Sequence, residues 1–127
     1  MAAKSPLWIL LVLSVLYLSW ATLPELECPE DCECHYFRIN WVTDCSESNL
    51  TEIPNDNMSL NVYVLNMNGN NVTTWPPFPS DIKLRRLQIA DNFIENVTKE
   101  MFEGLKYLLD VDLSGNNISE IDPEAFR

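Results

Sequence analysis

Three stretches of this chain superimpose when aligned on an asparagine. They are Val62-x-x-Leu65-x-Met67-x-x-Asn70-x-Val72-x-x-Trp75, Leu84-x-x-Leu87-x-Ile89-x-x-Asn92-x-Ile94-x-x-Val97 and Leu108-x-x-Val111-x-Leu113-x-x-Asn116-x-Ile118-x-x-Ile121. All fifteen aligned apolar positions hold apolar residues, and the asparagines are 22 and 24 residues apart. A fainter copy lies upstream, where Cys45, Ser48, Leu50 and Ile53 stand at the matching offsets. A period in this range is the signature of a solenoid, in which each unit is too small to bury its own apolar side and must stack on its neighbours.

The pattern also says how each unit is built. Alternate residues of a strand face opposite sides. One short strand centred on Leu65, Leu87 or Val111 therefore turns Leu65/Met67, Leu87/Ile89 and Val111/Leu113 inward. Asn70, Asn92 and Asn116 fall where the chain leaves the strand. A buried amide there can satisfy turn N–H and C=O groups that would otherwise be orphaned, so these three read as a structural ladder rather than as ligand contacts.

Met1 to Ala21 has the marks of a secretory signal. Lys4 gives the positive start, Leu7–Leu18 the apolar run, and Ser19 and Ala21 the small residues before the cut. An uncleaved anchor is the rival reading, but Pro24, Glu25 and Glu27 end the run short of the roughly 20 apolar residues a span needs. No second stretch approaches that length. Residues 22–27 then form a short linker. Cys28, Cys32, Cys34 and Cys45 follow, spaced C-x3-C-x-C-x10-C. An exported chain meets an oxidising lumen, where such thiols become disulfides, and spacing alone leaves three pairings open. A four-cysteine zinc site fits that compartment poorly. A redox-active pair fits poorly too, since the neighbouring Glu27, Glu30, Asp31 and Glu33 disfavour a thiolate.

The repeats resemble the leucine-rich repeat, L-x-x-L-x-L-x-x-N-x-L. Cys28-Pro29-x-x-Cys32-x-Cys34, with Cys45 ahead of Leu50-x-x-Ile53-Pro54, is similar to the N-terminal cap of extracellular members such as Toll-like receptors, Slit and the small leucine-rich proteoglycans. The resemblance spans nearly all of the mature chain. It implies an α/β solenoid, a right-handed coil with short parallel strands on a concave face. The cap would cover residues 28–59, and three repeats would follow at 60–83, 84–107 and 108–127, with no C-terminal cap. It also implies the pairs Cys28–Cys34 and Cys32–Cys45. Within the cap, residues 35–45 are expected to give an edge strand with Phe37, Ile39 and Trp41 on one side and His35 at the surface.

The departures from the pattern are informative. The first repeat has Trp75-Pro76-Pro77-Phe78-Pro79 on its back instead of a helical Phe-x-x-Leu. Proline removes donors and fixes φ, so this segment should be extended. Trp75 and Phe78 fall where core residues belong, which argues against a proline-rich docking motif. The second repeat keeps Phe102-x-x-Leu105. The third reaches Phe126 and stops at Arg127, leaving an apolar face uncovered, so the chain is expected to be the N-terminal piece of a longer protein. Any membrane attachment would lie after Arg127.

Outward strand residues fall into columns: Val64, Arg86 and Asp110; Asn66, Gln88 and Asp112; Asn68, Ala90 and Ser114. Family members generally bind proteins on this concave face, so the resemblance makes these the candidate contacts for a protein ligand. The plainer readings are a solvated polar face, with Arg86 pairing with Asp110 across strands. Asp110 and Asp112 alone make a poor calcium site. Five glycosylation sequons begin at Asn49, Asn57, Asn71, Asn96 and Asn117, and Asn71 and Asn117 are expected to face out.

The chain carries 8 Lys+Arg against 19 Asp+Glu, a net charge of −11. That excludes nucleic acid and anionic membrane surfaces as natural partners. No G-x-S-x-G, P-loop or H-E-x-x-H is present, and His35 has no nucleophile to serve, so no catalytic residue, metal or cofactor is assigned. The reading is a non-enzymatic module, secreted or on the outer face of the plasma membrane. It would be either the start of a receptor or adhesion ectodomain, or a secreted matrix or inhibitory protein on the same scaffold.

Overall fold

Alternating apolar and polar residues, interrupted by a turn every 22–24 residues, give each repeat one short strand in the main sheet. The computed structural model describes residues 23–127, so the signal assigned to Met1–Ala21 lies outside the described residues. Among the described residues seven strands form: β1 (Glu33–Phe37), β2 (Asn40–Asp44), β3 (Val62–Asn66), β4 (Arg86–Gln88), β5 (Asn96–Val97), β6 (Asp110–Asp112) and β7 (Glu120–Ile121). The main sheet runs β1-β2-β3-β4-β6. Only β1 and β2 are antiparallel, and every later neighbour is parallel. Leu65 lies opposite Leu87, and Leu87 opposite Val111. A second, two-stranded sheet pairs β5 with β7. The result is a solenoid of stacked turns.

The core follows the repeat. Of the fifteen aligned apolar positions, the ten from Val62 to Val97 are buried. In the last turn Leu108, Val111, Leu113 and Ile118 are half-buried, and Ile121 is 56% exposed. Among the described residues no strand pairs with the far side of β6. The helical component of the α/β expectation reduces, in the described residues, to a four-residue 3₁₀ turn at Lys99–Phe102. Trp75 and Phe78 are buried core residues, as the proline-rich segment implied. The Trp75 indole donates to the Met101 carbonyl at 2.7 Å. Met101 is fully buried on this side, whereas the motif residue Phe102 is only half-buried and meets Trp75 edge-on at 6.0 Å.

The cap departs from the single edge strand expected over residues 35–45. It is a hairpin, with Arg38 at φ 60° in its turn. The turn falls between Phe37 and Asn40 and breaks the alternation, so Phe37 and Ile39 are 63% and 79% exposed while Trp41 is buried against Tyr36. His35 is exposed. Two disulfides close the cap, Cys28–Cys34 and Cys32–Cys45, across sequence separations of 6 and 13. The second ties the cap's start to Cys45, which is completely buried at the first turn of the core.

The asparagines lock successive turns together. Asn92 Oδ1 accepts from Val72 N (3.0 Å), and its amide donates to the Met67 (2.9 Å), Ile89 (3.3 Å) and Ala90 (3.0 Å) carbonyls. Asn70 accepts from Ser48 and Leu50 N and donates to the Cys45 and Met67 carbonyls. Asn116 accepts from Ile94 N and donates to the Ile89 and Leu113 carbonyls. Each side chain therefore bonds its own turn and the one before it. The residue ahead of each ladder position is left-handed: Glu47 (φ 51°), Gly69 (71°), Asp91 (55°) and Gly115 (69°). At two of these steps the acid of one turn fills the space that a side chain on the next turn's glycine would need. A Cβ on Gly69 would lie 2.1 Å from Glu47 Oε1, and one on Gly115 would lie 2.0 Å from Asp91 Oδ1.

Candidate protein-binding face

With Leu65, Leu87 and Val111 facing the core, the residues on either side of them face away. The strand register brings these into columns. Val64 lies opposite Arg86, and Arg86 opposite Asp110; Asn66 lies opposite Gln88, and Gln88 opposite Asp112. Arg86, Asp110 and Asp112 are exposed, while Val64, Asn66, Asn68 and Gln88 are half-buried. In the third column Ala90 is buried and Ser114 exposed. Parallel register puts like positions of successive repeats about 4.8 Å apart, so one partner segment crossing the strands meets several of them together.

The cap belongs to the same surface. Strand β2 pairs Val42 with Val64 and Asp44 with Asn66, which lengthens both columns by one residue. Sequence reasoning missed Val42 and Asp44 as surface contacts. The signal was available, because both stand one 22-residue period before their partners, as Ser48 does before Asn70.

Short side-chain bonds hold the polar edge of the face. The Ser46 hydroxyl and N–H donate to Asp44 Oδ1 at 2.7 and 3.0 Å. Asn68 N donates to Asn66 Oδ1 at 3.0 Å. The Ser114 hydroxyl and N–H donate to Asp112 Oδ1 at 2.6 and 3.0 Å. Those two donors hold the Asp112 carboxyl below the usual carboxylate range. The expected Arg86–Asp110 pair is not formed. Among the described residues the one ion pair is Lys99–Glu124, at 3.7 Å on exposed side chains. Arg86 and Asp110 sit side by side in register, but solvent competes for both and their contact would be worth little. Also among the described residues, no three His, Cys, Asp or Glu side chains are grouped to hold a metal ion.

The sequon asparagines lie away from these columns. Asn49, Asn57, Asn96 and Asn117 are exposed. Asn71 is half-buried, because its amide donates to Asn49 Oδ1 at 2.6 Å.

Comparison with known proteins agrees with this geometry. Residues 82–127 match the family model described as leucine rich repeat. The chain is 34% identical over 124 residues to leucine-rich repeat-containing protein 3 of Danio rerio, covering 95% of this chain and 45% of that protein. The chain is a leucine-rich repeat protein with a cysteine-rich cap. It is also 32% identical over 111 residues to trophoblast glycoprotein of Macaca fascicularis, covering 82% of this chain and 25% of that one. Leucine-rich repeat-containing G-protein coupled receptor 5 of Xenopus tropicalis shares 30% over 122 residues, covering 90% of this chain and 13% of that one. The chain thus spans less than half the length of these relatives. Leucine-rich repeat domains generally bind proteins, and the two disulfides fit an oxidising compartment.

Proposed function

We propose that this chain is the protein-binding module at the N-terminal end of an extracellular, cell-surface leucine-rich repeat protein, and that it has no catalytic role. The observation that carries this reading is the row of outward columns from Val42 and Asp44 to Asp110 and Asp112, whose side chains face away from the core. In this reading Met1–Ala21 directs export, residues 28–59 cap the coil, and the repeats occupy 60–83, 84–107 and 108–127. Sugars on the sequon asparagines keep a small acidic solenoid soluble and leave the columns free. The ladder asparagines serve the backbone, and Val64, Asn66, Asn68, Arg86, Gln88, Asp110 and Asp112 serve the ligand. A relative named as a receptor supports the cell-surface form over a freely secreted one.

The test is a sugar wedge. Tagged protein is expressed through the secretory pathway and its binding to cultured cells is read by flow cytometry. The double change Q88N/A90S writes a new sequon into the middle column and should abolish binding. Asn96→Gln, which removes a sugar site on the second sheet, should leave it intact. Binding that survives the wedge, or that survives protease treatment of the cells, would refute a protein partner on this face.

A further inference from the structure

One corner of this acidic molecule is basic, and among the described residues its cations form no ion pair with a carboxylate. Lys83, Arg85 and Arg86 lie within four residues of each other, in a chain with only 8 Lys+Arg in all. Main-chain bonds carry them to the margin of the outward face: Lys83 N donates to Leu60 O at 2.7 Å, Arg85 N to Tyr63 O at 3.0 Å, and Leu109 N to Arg85 O at 2.8 Å. Two of the cations gather on one ring. Lys83 Nζ is 4.8 Å and Arg85 Cζ 5.5 Å from the Tyr107 ring centre. Arg86 continues the group into the first column, opposite Val64. Asp81 is the nearest acid in sequence and Asp110 lies opposite Arg86 across the strands, and neither forms an ion pair with these cations; the one pair among the described residues is Lys99–Glu124. Beside the cations Leu109 is 71% exposed and Tyr107 40% exposed.

Resting on the reading of the chain as a protein-binding module, we propose that this corner receives a segment of a protein partner that carries acidic side chains next to an apolar one. Two like charges drawn to one aromatic ring repel each other, and an arriving carboxylate relieves that repulsion while the ring remains a platform. Leu109 and the Tyr107 ring give the apolar side chain a place to pack. That apolar component selects a protein over a sulfated polysaccharide, which has no greasy side chain to offer and whose continuous negative charge the rest of this −11 chain repels. The corner sets the orientation of the partner by charge, while the columns supply most of the contact area.

The experiment uses the purified chain with three labelled probes read by fluorescence anisotropy. The probes are an alternating glutamate–leucine peptide, the same peptide with glutamine for glutamate, and a heparin fragment. The glutamate peptide should bind, and the glutamine peptide should bind about tenfold or more weakly. Added salt should weaken the glutamate peptide, and so should K83Q/R85Q and, separately, Arg86→Gln, while Lys99→Gln leaves it unchanged. Equal binding of the two peptides, tighter binding of heparin, or full binding by the folded K83Q/R85Q protein overturns the proposal. In the cell-binding assay, loss with Q88N/A90S but full retention with K83Q/R85Q overturns the corner while leaving the binding face standing.

Discussion

Replacing each ladder asparagine by alanine should reveal a gradient that follows burial and redundancy. Removing Asn92 deprives the buried Val72 N–H of its acceptor at 3.0 Å. The three carbonyls it served each keep a partner: Met67 O retains the Asn70 amide, Ile89 O the Asn116 amide, and Ala90 O the Gly69 N–H. The loss is therefore one orphaned donor plus a small void, about 3 kcal/mol in all. Removing Asn70 orphans two donors, Ser48 and Leu50 N, and should cost at least as much. Asn116 sits in the half-buried last turn, where water can replace it, so its removal should cost about 1 kcal/mol. Denaturant unfolding with disulfides intact, followed by fluorescence of the buried Trp41 and Trp75, measures all three. Asn92→Asp adds an internal check. Its oxygen still accepts from Val72, but the negative charge then faces three carbonyls, and burial raises the folded pKa above the unfolded value of about 3.9. Its penalty should be full at neutral pH, shrink as pH falls through the folded pKa, and vanish below the unfolded one. Equal losses at positions 92 and 116, or a loss under about 0.5 kcal/mol for Asn92→Ala, would refute the ladder argument.

Other outcomes follow from the same structure. Trp75→Phe should destabilise more than Trp41→Phe in thermal melts, because the Trp75 indole N–H serves the Met101 carbonyl while the buried Trp41 N–H has no partner to lose. Opening Cys32–Cys45 by paired Cys→Ser changes should cost about 3 kcal/mol by chain entropy, and more than opening Cys28–Cys34, which closes a shorter loop; equal loss of melting temperature would contradict this. Gly69→Ala should destabilise by about 1–2 kcal/mol through its positive φ, and a second change of Glu47 to Ala should recover only the part due to the clash. NMR titration should find the Asp112 carboxyl ionising below its ordinary pKa, and Ser114→Ala should raise it toward normal. The stability linked to Asp112 is present above its unfolded pKa and is lost as pH falls through the lower folded one.

The extent to which the fold was legible in the sequence varies with the range of the contacts involved. Strand positions, inward and outward faces and the ladder sites follow from a two-residue alternation inside a 22–24-residue period, which is local chemistry repeated. The break in the cap was not legible, because Phe37, Ile39 and Trp41 keep the alternation in sequence while a turn at Arg38 reverses the chain between them. Nor was the core role of Met101, set by the Trp75 indole above its carbonyl from 26 residues away. The candidate site divides in the same way. The columns could be counted off, but the gathering of Lys83 and Arg85 on Tyr107 depends on how one turn's edge meets the next.

By itself, then, the sequence determined the unit: its length, which side is greasy, and where its buried amide stands. Tertiary structure alone decided how units meet. It chose among the cysteine pairings that spacing left open, reversed the cap at Arg38, and set the side chains of Glu47 and Asp91 where a Cβ on Gly69 or Gly115 would lie. The physical reason is distance along the chain. Alternation is a property of neighbouring residues, whereas each of those outcomes depends on atoms brought together from well separated segments.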